Sequence, residues 1–266
     1  MLVYWPTKQD QNAIANFLDK KTAKIDKLIE KDKKLIALLK EKRTAMINYV
    51  VTKGLPVRCT QTGLDPNVKL KDSGVDWIGE IPGWWEVNKL KYVSYINKEK
   101  LDDNTDPNFK LNYLDISNVD SEGNIFQIEE QYFEDAPSRA RRIPKENDTI
   151  ISTVRTYLKA IAYLEKIPKD LIVSTGFAVL EPFKKIIPKY LYYAVTSEKF
   201  IQRVIADSKG VAYPAINPPE LGQIYVTIPP KSEQQKIVEY LDKATSRIDK
   251  TIKLIEKKIA LLEEYK

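Results

Sequence analysis

One stretch of this chain occurs twice, and that repeat limits the folds open to it. Residues 6–39 and 229–262 superpose at an offset of 223 and share Pro6/Pro229, Lys8/Lys231, Gln11/Gln234 and Ile14/Ile237. The match continues through Leu18-Asp19/Leu241-Asp242, Thr22/Thr245, Ile25-Asp26-Lys27/Ile248-Asp249-Lys250 and Ile36-Ala37-Leu38-Leu39/Ile259-Ala260-Leu261-Leu262. About half of the aligned positions are identical. Solenoid repeats recur every ~20–50 residues. Two copies this far apart instead bracket a different element, Gly54–Ile228.

Each copy predicts one long helix. Apolar positions in the first fall at Ile14, Leu18, Ile25, Leu28 or Ile29, Leu35, and Leu38 or Leu39, with Met46 further on. Those in the second fall at Ile237, Leu241, Ile248, Ile252, Ile255, Ile259 and Leu262. Spacings of three, four and seven with charges between them are a coiled-coil pattern. Pro6 and Pro229-Pro230 stand just before the runs, where proline can start a helix. Asp10 or Ser232 offers an N-cap, and Glu233 adds negative charge to a first turn. At ~1.5 Å per residue the first helix, about Gln9–Val51, is on the order of 60 Å long.

A single helix with one apolar stripe is not stable alone in water. The partner is either the other copy or another molecule. Helix one leads into the central segment and helix two leads out, so the two can lie antiparallel as the stalk of a globular head. The expected fold class is α+β: one mostly-β globular domain plus two long antiparallel coiled-coil helices. The expected boundaries are 1–53 for the first helix, 54–228 for the domain with a linker at 54–75, and 229–266 for the second helix.

Composition narrows the chemistry. The chain has no histidine, which removes Ser-His-Asp and Cys-His nucleophile arrangements, histidine metal sites and a histidine general base. No metal-ligating residues are predicted. The single cysteine, Cys59, precludes an intrachain disulfide and fits a reducing, cytoplasmic setting. No run of about 18 apolar residues is present, and Met1–Asp10 lacks the design of a signal peptide, so no membrane association is expected. The net charge is +6, and its excess lies on the helices: segment 8–53 has 12 Lys and Arg against 6 Asp and Glu, and segment 231–266 has 9 against 7. That excess is either a solvated coiled-coil face or a phosphate-binding surface.

Gly54-Leu55-Pro56 breaks the first helix, and a polar linker follows with turn signals at Asp65-Pro66 and Ser73-Gly74. Trp77, Trp84 and Trp85 come next. They either close the entrance to the domain or stack on bases. Their place beside the linker, just before a strand-like run, favours the clasp. From about Asn108 onward FKLNYLDI, NIFQI, DTIISTV, AIAYLE, DLIVSTGFAVLEPF and QIYVTIPP read as strands. One helix is expected from Pro188 to about Asp207, begun by its proline.

Four segments carry candidate chemistry. Asn217-Pro218-Pro219-Glu220 is similar to the Asn-Pro-Pro-aromatic motif with which amino-methyltransferases hold a base, but Glu220 cannot stack. No glycine-rich nucleotide loop is present either, and a helix start capped by Asn217 is favoured. Arg139, Arg141 and Arg142 form the densest arginine cluster of the central segment; they suit guanine edges or phosphates, or pair with nearby Glu129, Glu130, Glu134 and Asp135. Arg155, Tyr157 and Lys159 lie where a strand ends and turns, in a loop suited to a DNA groove or in an ordinary hairpin. Lys209 and Tyr213 sit in a small-residue loop, 208–214, whose backbone could approach phosphate.

Taken together, SEQQKIVEYLDKATSRIDKTIKLIEKKIALLEEYK at 232–266, its copy at 9–43 with TAMINYVVTKGL, DSGVDWIGEIPGWWEV, IISTVRTYLKAIAYL, VSTGFAVLEP and SKGVAYPAIN form a distinctive set. The set resembles the specificity (S) subunit of Type I restriction-modification systems. The resemblance covers nearly the whole chain and implies that 54–228 is a target recognition domain. It also implies that the helices act as a ruler and dock two modification (methyltransferase) subunits, and through the complex a restriction subunit. S-adenosylmethionine and ATP then belong to those partner subunits, and this chain is a non-catalytic reader of double-stranded DNA with no cofactor of its own. The family places its DNA contacts in recognition-domain loops, which makes Arg139, Arg141, Arg142, Arg155, Tyr157, Lys159, Lys209 and Tyr213 the DNA-contact candidates.

The order here departs from the full family pattern of domain, helix, domain, helix. Leu2-Val3-Tyr4-Trp5-Pro6 aligns with Tyr225–Pro229, the end of a recognition domain, so the chain looks like helix, one recognition domain, helix. One recognition domain reads one half of a bipartite site, and a two-fold homodimer would restore two readers. The competing expectation is a coiled-coil adaptor without DNA readout of its own.

Overall fold

The computed structural model describes residues 5–55 and 69–266. The readings made at Leu2-Val3-Tyr4, Pro56, Cys59 and the Asp65-Pro66 turn lie outside them. In chain order the elements are α1 (Lys8–Lys53), β1 (Leu70–Asp72), β2 (Glu80–Pro82), β3 (Glu86–Lys89), β4 (Ser94–Ile96), β5 (Lys110–Leu114) and β6 (Glu129–Tyr132). After these come β7 (Ala140–Arg142), β8 (Thr149–Ser152), β9 (Ile161–Tyr163), β10 (Leu171–Ser174), β11 (Phe177–Pro182) and α2 (Pro188–Val195). The chain closes with α3 (Glu198–Asp207), α4 (Pro218–Leu221), β12 (Tyr225–Ile228) and α5 (Lys231–Glu264). The described residues form two compact units, 5–45 with 242–266, and 46–55 with 69–241. Among the described residues no helix is long and apolar enough to cross a membrane.

The first unit is an antiparallel helix pair. Its seam on α1 runs Ile25, Ile29, Asp32, Ile36, Leu39 and Arg43, spaced four and three, and on α5 runs Thr245, Ile248, Ile252, Ile255, Ile259 and Leu262. Ion pairs fix the direction: Asp26 with Lys266 at 2.7 Å, Asp32 with Lys258 at 2.8 Å and Arg43 with Asp249 at 3.3 Å. Four expected seam positions on α1 need correction. Leu28 and Leu35 each stand one residue off the heptad phase set by Ile29 and Ile36, and are exposed. Ile14 and Leu18 are also exposed, because the pairing begins only where Asp26 stands opposite Lys266. The α1 cap is Thr7 rather than Asp10: the Thr7 hydroxyl accepts from the Asp10 amide at 3.2 Å and donates to its carboxylate at 2.6 Å.

The second unit is built on two four-stranded sheets. One has the order β6-β5-β10-β7 with β5 and β10 parallel; the other, β4-β11-β8-β9, is antiparallel throughout. Leu171 and Val173 of β10 pack with Ile150, Ala162, Phe177 and Val179 between the sheets, while Ile172 points to a smaller cluster with Leu111 and Tyr113. That alternation is the two-residue period of a strand with both faces covered. The run DLIVSTGFAVLEPF is thus two strands in different sheets, joined at Thr175-Gly176. NIFQI is not a strand; only an isolated bridge joins Val119 and Ile125.

A larger core gathers the last turns of α1 (Ile47, Val50, Val51), the start of α5 (Ile237, Leu241), Trp85, Tyr190 and Phe200. Polar bonds seal it. Thr227 donates to the Val51 carbonyl at 2.5 Å, and buried Gln234 accepts from the Ile187 amide at 2.8 Å. The expected helix from Pro188 to Asp207 breaks in two because Ser197 turns extended and its hydroxyl caps α3 through the Phe200 amide. Trp84 and Trp85 both donate to Glu233 of α5, at 2.6 and 2.8 Å, so they clasp the helix start.

Candidate nucleic-acid interface

The eight DNA-contact candidates fall into two groups on either side of the Thr175-Gly176 turn. The Thr175 amide donates to the Arg139 carbonyl at 2.7 Å, and the Thr153 amide donates to the Gly176 carbonyl at 2.8 Å. A Cβ on Gly176 would stand 2.1 Å from Ile116 Cδ1 and 3.1 Å from Val154 Cγ2, so both side chains would have to turn aside. The β10–β11 junction therefore holds both groups at one edge of the fold.

The first group is largely committed to intramolecular pairs. Arg139 donates through Nε to Asp115 at 2.9 Å, and Tyr113 donates to the same oxygen at 2.7 Å. Burial pushes the Asp115 carboxyl up, but the bonds from Tyr113, Arg139 and Ser117 outweigh it and hold its pKa at about 2. Arg139 itself stays exposed. Arg141 lies with Nε 3.5 Å from Asp103 and its guanidinium 4.8 Å over the Phe133 ring. Arg142 is half-buried in β7, and burial alone lowers its pKa. Of the three arginines of this cluster, only Arg139 is fully exposed. The acidic partners are Asp115 and Asp103, distant in sequence, rather than the upstream glutamates.

The second group is a pair of loops laced together. The Arg155 amide donates to the Pro214 carbonyl at 2.8 Å, Thr156 and Ser208 share a hydroxyl bond at 2.9 Å, and Lys209 bridges Ala215. Arg155 (φ 49°, ψ 48°) and Lys159 (φ 56°, ψ 30°) are both left-handed, at a cost of ~1–2 kcal/mol each for such residues. The flanking hydrogen bonds over-determine these conformations. Lys159 pairs with Glu198 at 2.9 Å, and Lys209, its side chain still 78% exposed, pairs with Glu220 at 2.6 Å. Glu220 also closes the start of α4 by accepting from the Asn217 amide at 3.3 Å. The methyltransferase-like tetrapeptide is therefore a capped helix start.

What remains free at this edge is distinctive. Arg155 is exposed, has no carboxylate partner among the described residues, and lies 4.7 Å over the ring of exposed Tyr213. Tyr157 and Leu158 in the same loop as Arg155, and Val211 in the loop of Tyr213, are also exposed. Leu158 and Val211 were not among the expected contacts, since isolated apolar residues in loops carry no pattern in the sequence.

A cleft of about 400 Å³ is lined by Trp77, Tyr225, Asp76, Arg203 and Asp207. Arg203 and Asp207 are bound to each other at 2.7 Å. Among the described residues no group of three acidic, histidine or cysteine side chains could hold a metal ion.

A sheet domain bracketed by two repeated helices, with its free aromatic and arginine side chains on loops at one edge, defines a class of modular binding protein. The family model for the Type I restriction modification DNA specificity domain matches residues 82–264, more than half of the chain, which therefore belongs to that family. The Type I restriction enzyme HindI specificity subunit of Haemophilus influenzae is 25% identical over 169 residues, 62% of this chain and 36% of that protein. The HsdS subunit from Thermoanaerobacter tengcongensis is 30% identical, with a TM-score of 0.57 over 65% of this chain and 45% of that one. A chain from a type I R-M system, solved for its complex assembly and conformational transition, is 31% identical with a TM-score of 0.58 and the same coverage. The chain matches less than half the length of each of these relatives.

Proposed function

We propose that this chain is the non-catalytic, sequence-reading component of a Type I restriction-modification complex, and that its sheet domain reads one half-site of a bipartite DNA target. The observation that carries the reading is the loop pair 155–159 and 208–214, where Arg155 rests on Tyr213 as an exposed cation without a carboxylate, among exposed Tyr157 and Leu158. Arginine presented in this way suits a base edge in the major groove. Arg139, exposed and fixed by Asp115, flanks it as a backbone-positioning contact.

In this reading α1 and α5 dock the modification subunits, and a restriction subunit joins through the complex. S-adenosylmethionine and ATP are used by those partners. The exposed Ile14, Leu18, Leu28 and Leu35 of α1 supply apolar surface for such docking or for a homodimer that would place two half-site readers on one duplex. The complex then works in the cytoplasm on chromosomal or entering DNA.

The test is co-purification of the full chain with a modification subunit, followed by methyl transfer to a randomised duplex library. Methylation at one defined sequence supports the reading. A stable complex that methylates without sequence preference, or not at all, favours the adaptor alternative, and no complex overturns the docking role of the helices.

A further inference from the structure

The 400 Å³ cleft of the sheet domain is lined by none of the residues assigned to DNA. Three segments wall it: residues 74–77 between β1 and β2, Arg203 and Asp207 at the end of α3, and residues 223–225 leading into β12. The first wall is held in one shape. Gly74 takes φ +71° with its amide on the Asp72 carboxylate at 3.0 Å, and the Val75 carbonyl accepts from the Ile78 and Gly79 amides at 2.9 and 3.0 Å. Val75 and Trp77 pack against the larger core, while Asp76 between them is exposed.

The charges of the cleft do not cancel. Arg203 holds Asp207 through two bonds, Nε to Oδ2 at 2.8 Å and Nη2 to Oδ1 at 2.7 Å, so that pair is satisfied within the wall. Asp76 has no ion pair or hydrogen bond among the described residues. The Trp77 indole N–H and the Tyr225 hydroxyl have no hydrogen-bond partner there either. Lys89 Nζ stands 5.6 Å from the centre of the Tyr225 ring, whereas no cation among the described residues stands over Trp77. The cleft thus combines an uncompensated carboxylate, the indole next to it in the chain and two unused donors. Phosphate oxygens carry the same charge as Asp76 and Asp207, which sets this surface apart from a nucleic-acid contact.

An indole beside a carboxylate suits an organic cation. A guanidinium meets both groups: it is planar, more weakly hydrated than an ammonium, stacks on aromatic faces and pairs with a carboxylate through two N–H groups. The main chain that carries an arginine also brings carbonyl acceptors for the Trp77 and Tyr225 donors. We propose that this cleft docks an arginine side chain presented by a partner protein, with Asp76 pairing with the guanidinium and Trp77 lying against its plane. This contact is independent of DNA reading and gives the domain a protein-binding site of its own.

The probe is N-acetyl-arginine N-methylamide, added to the isotopically labelled full chain. The readout is the Trp77 indole N–H resonance, assigned by its loss in Trp77→Phe. A saturable shift is expected, with binding about tenfold weaker for the citrulline analogue, which keeps the shape without the charge. Asp76→Asn should weaken binding of the arginine probe about fivefold. Its melting temperature should equal that of the wild type, because Asp76 is exposed and bonded to nothing among the described residues. Equal binding of the arginine and citrulline probes, an unmoved indole resonance, or unchanged affinity in Asp76→Asn would overturn the proposal. Tighter binding of free arginine than of the capped probe would assign the cleft to the amino acid itself and overturn the partner protein. Each of these contrary results leaves the DNA-reading function standing.

Discussion

Arg43 and Asp249 form an ion pair across the helix pair, Nε to Oδ1 3.3 Å, and the repeat makes a second copy of it. At the offset of 223, Arg43 corresponds to Lys266 and Asp249 to Asp26, and these two pair at 2.7 Å. The first unit thus has an internal two-fold relationship, each copy of the repeat contributing one acid and one base. The pairs are partly solvated, with the Arg43 side chain 20% and that of Asp249 46% exposed. Asp249→Lys should lower the thermal stability of the helix pair by about 0.5–1 kcal/mol, less in high salt. Adding Arg43→Asp should restore it. Circular dichroism melts at two ionic strengths check both.

Asp32 and Lys258 break that symmetry. Their counterparts in the repeat are Ile255 and Leu35, so a charged pair on one side of the axis corresponds to an apolar pair on the other. Asp32 is buried on the seam, with Lys258 Nζ at 2.8 Å. Lys258→Ala should destabilise the helix pair by about 1–3 kcal/mol by leaving a buried carboxylate unpaired. Asp32→Ile with Lys258→Leu should be neutral or stabilising in urea titrations. Crosslinking of cysteines placed along the seam should then report more than one register, because the polar pair no longer selects it.

Asp148 gives a pH signature. Burial raises its pKa to about 6, against a bond from the Lys145 amide that lowers it, and the nearby Glu181 charge adds to the rise. The folded state therefore holds this proton more tightly than the unfolded chain, whose carboxyl titrates near 3.8. Its stabilising effect is fully present below about pH 4 and is lost as the pH rises to about 6. Asp148→Asn should be about 1–2 kcal/mol more stable than the wild type at pH 7.5, and the gain should vanish by pH 4. Urea midpoints across that range measure it.

Gly176 joins the two sheets beneath the recognition loops. Gly176→Ala forces Ile116 and Val154 aside and should cost about 1–3 kcal/mol. Because Thr153 bonds to the Gly176 carbonyl, hydrogen exchange at the Arg155 and Leu158 amides should quicken in the same variant.

The helices were legible because a repeat is visible without knowing the fold. Even the shared glutamine is a device: Gln11 donates to Pro6 and Gln234 to Pro229, both at 2.9 Å. Seam phase was less legible. Where Leu28 precedes Ile29 and Leu35 precedes Ile36, composition does not choose between neighbours; the position of the second helix does. The candidate loops stand out in the sequence by their residue types, but the carboxylates that pair with them come from elsewhere in the chain: Asp115 lies 24 residues from Arg139, and Glu198 lies 39 from Lys159. No local pattern announces such pairs.

Sequence reading by the loop pair is tested most directly with two duplexes and two proteins. Binding of the wild-type chain and Arg155→Ala, each in complex with a modification subunit, is measured by fluorescence anisotropy on the selected site and on a scrambled duplex of equal length. Arg155→Ala should lose about 1–3 kcal/mol on the selected site and little on the scrambled one. Equal losses on both duplexes would make Arg155 a phosphate contact and contradict the claim that this loop pair reads sequence.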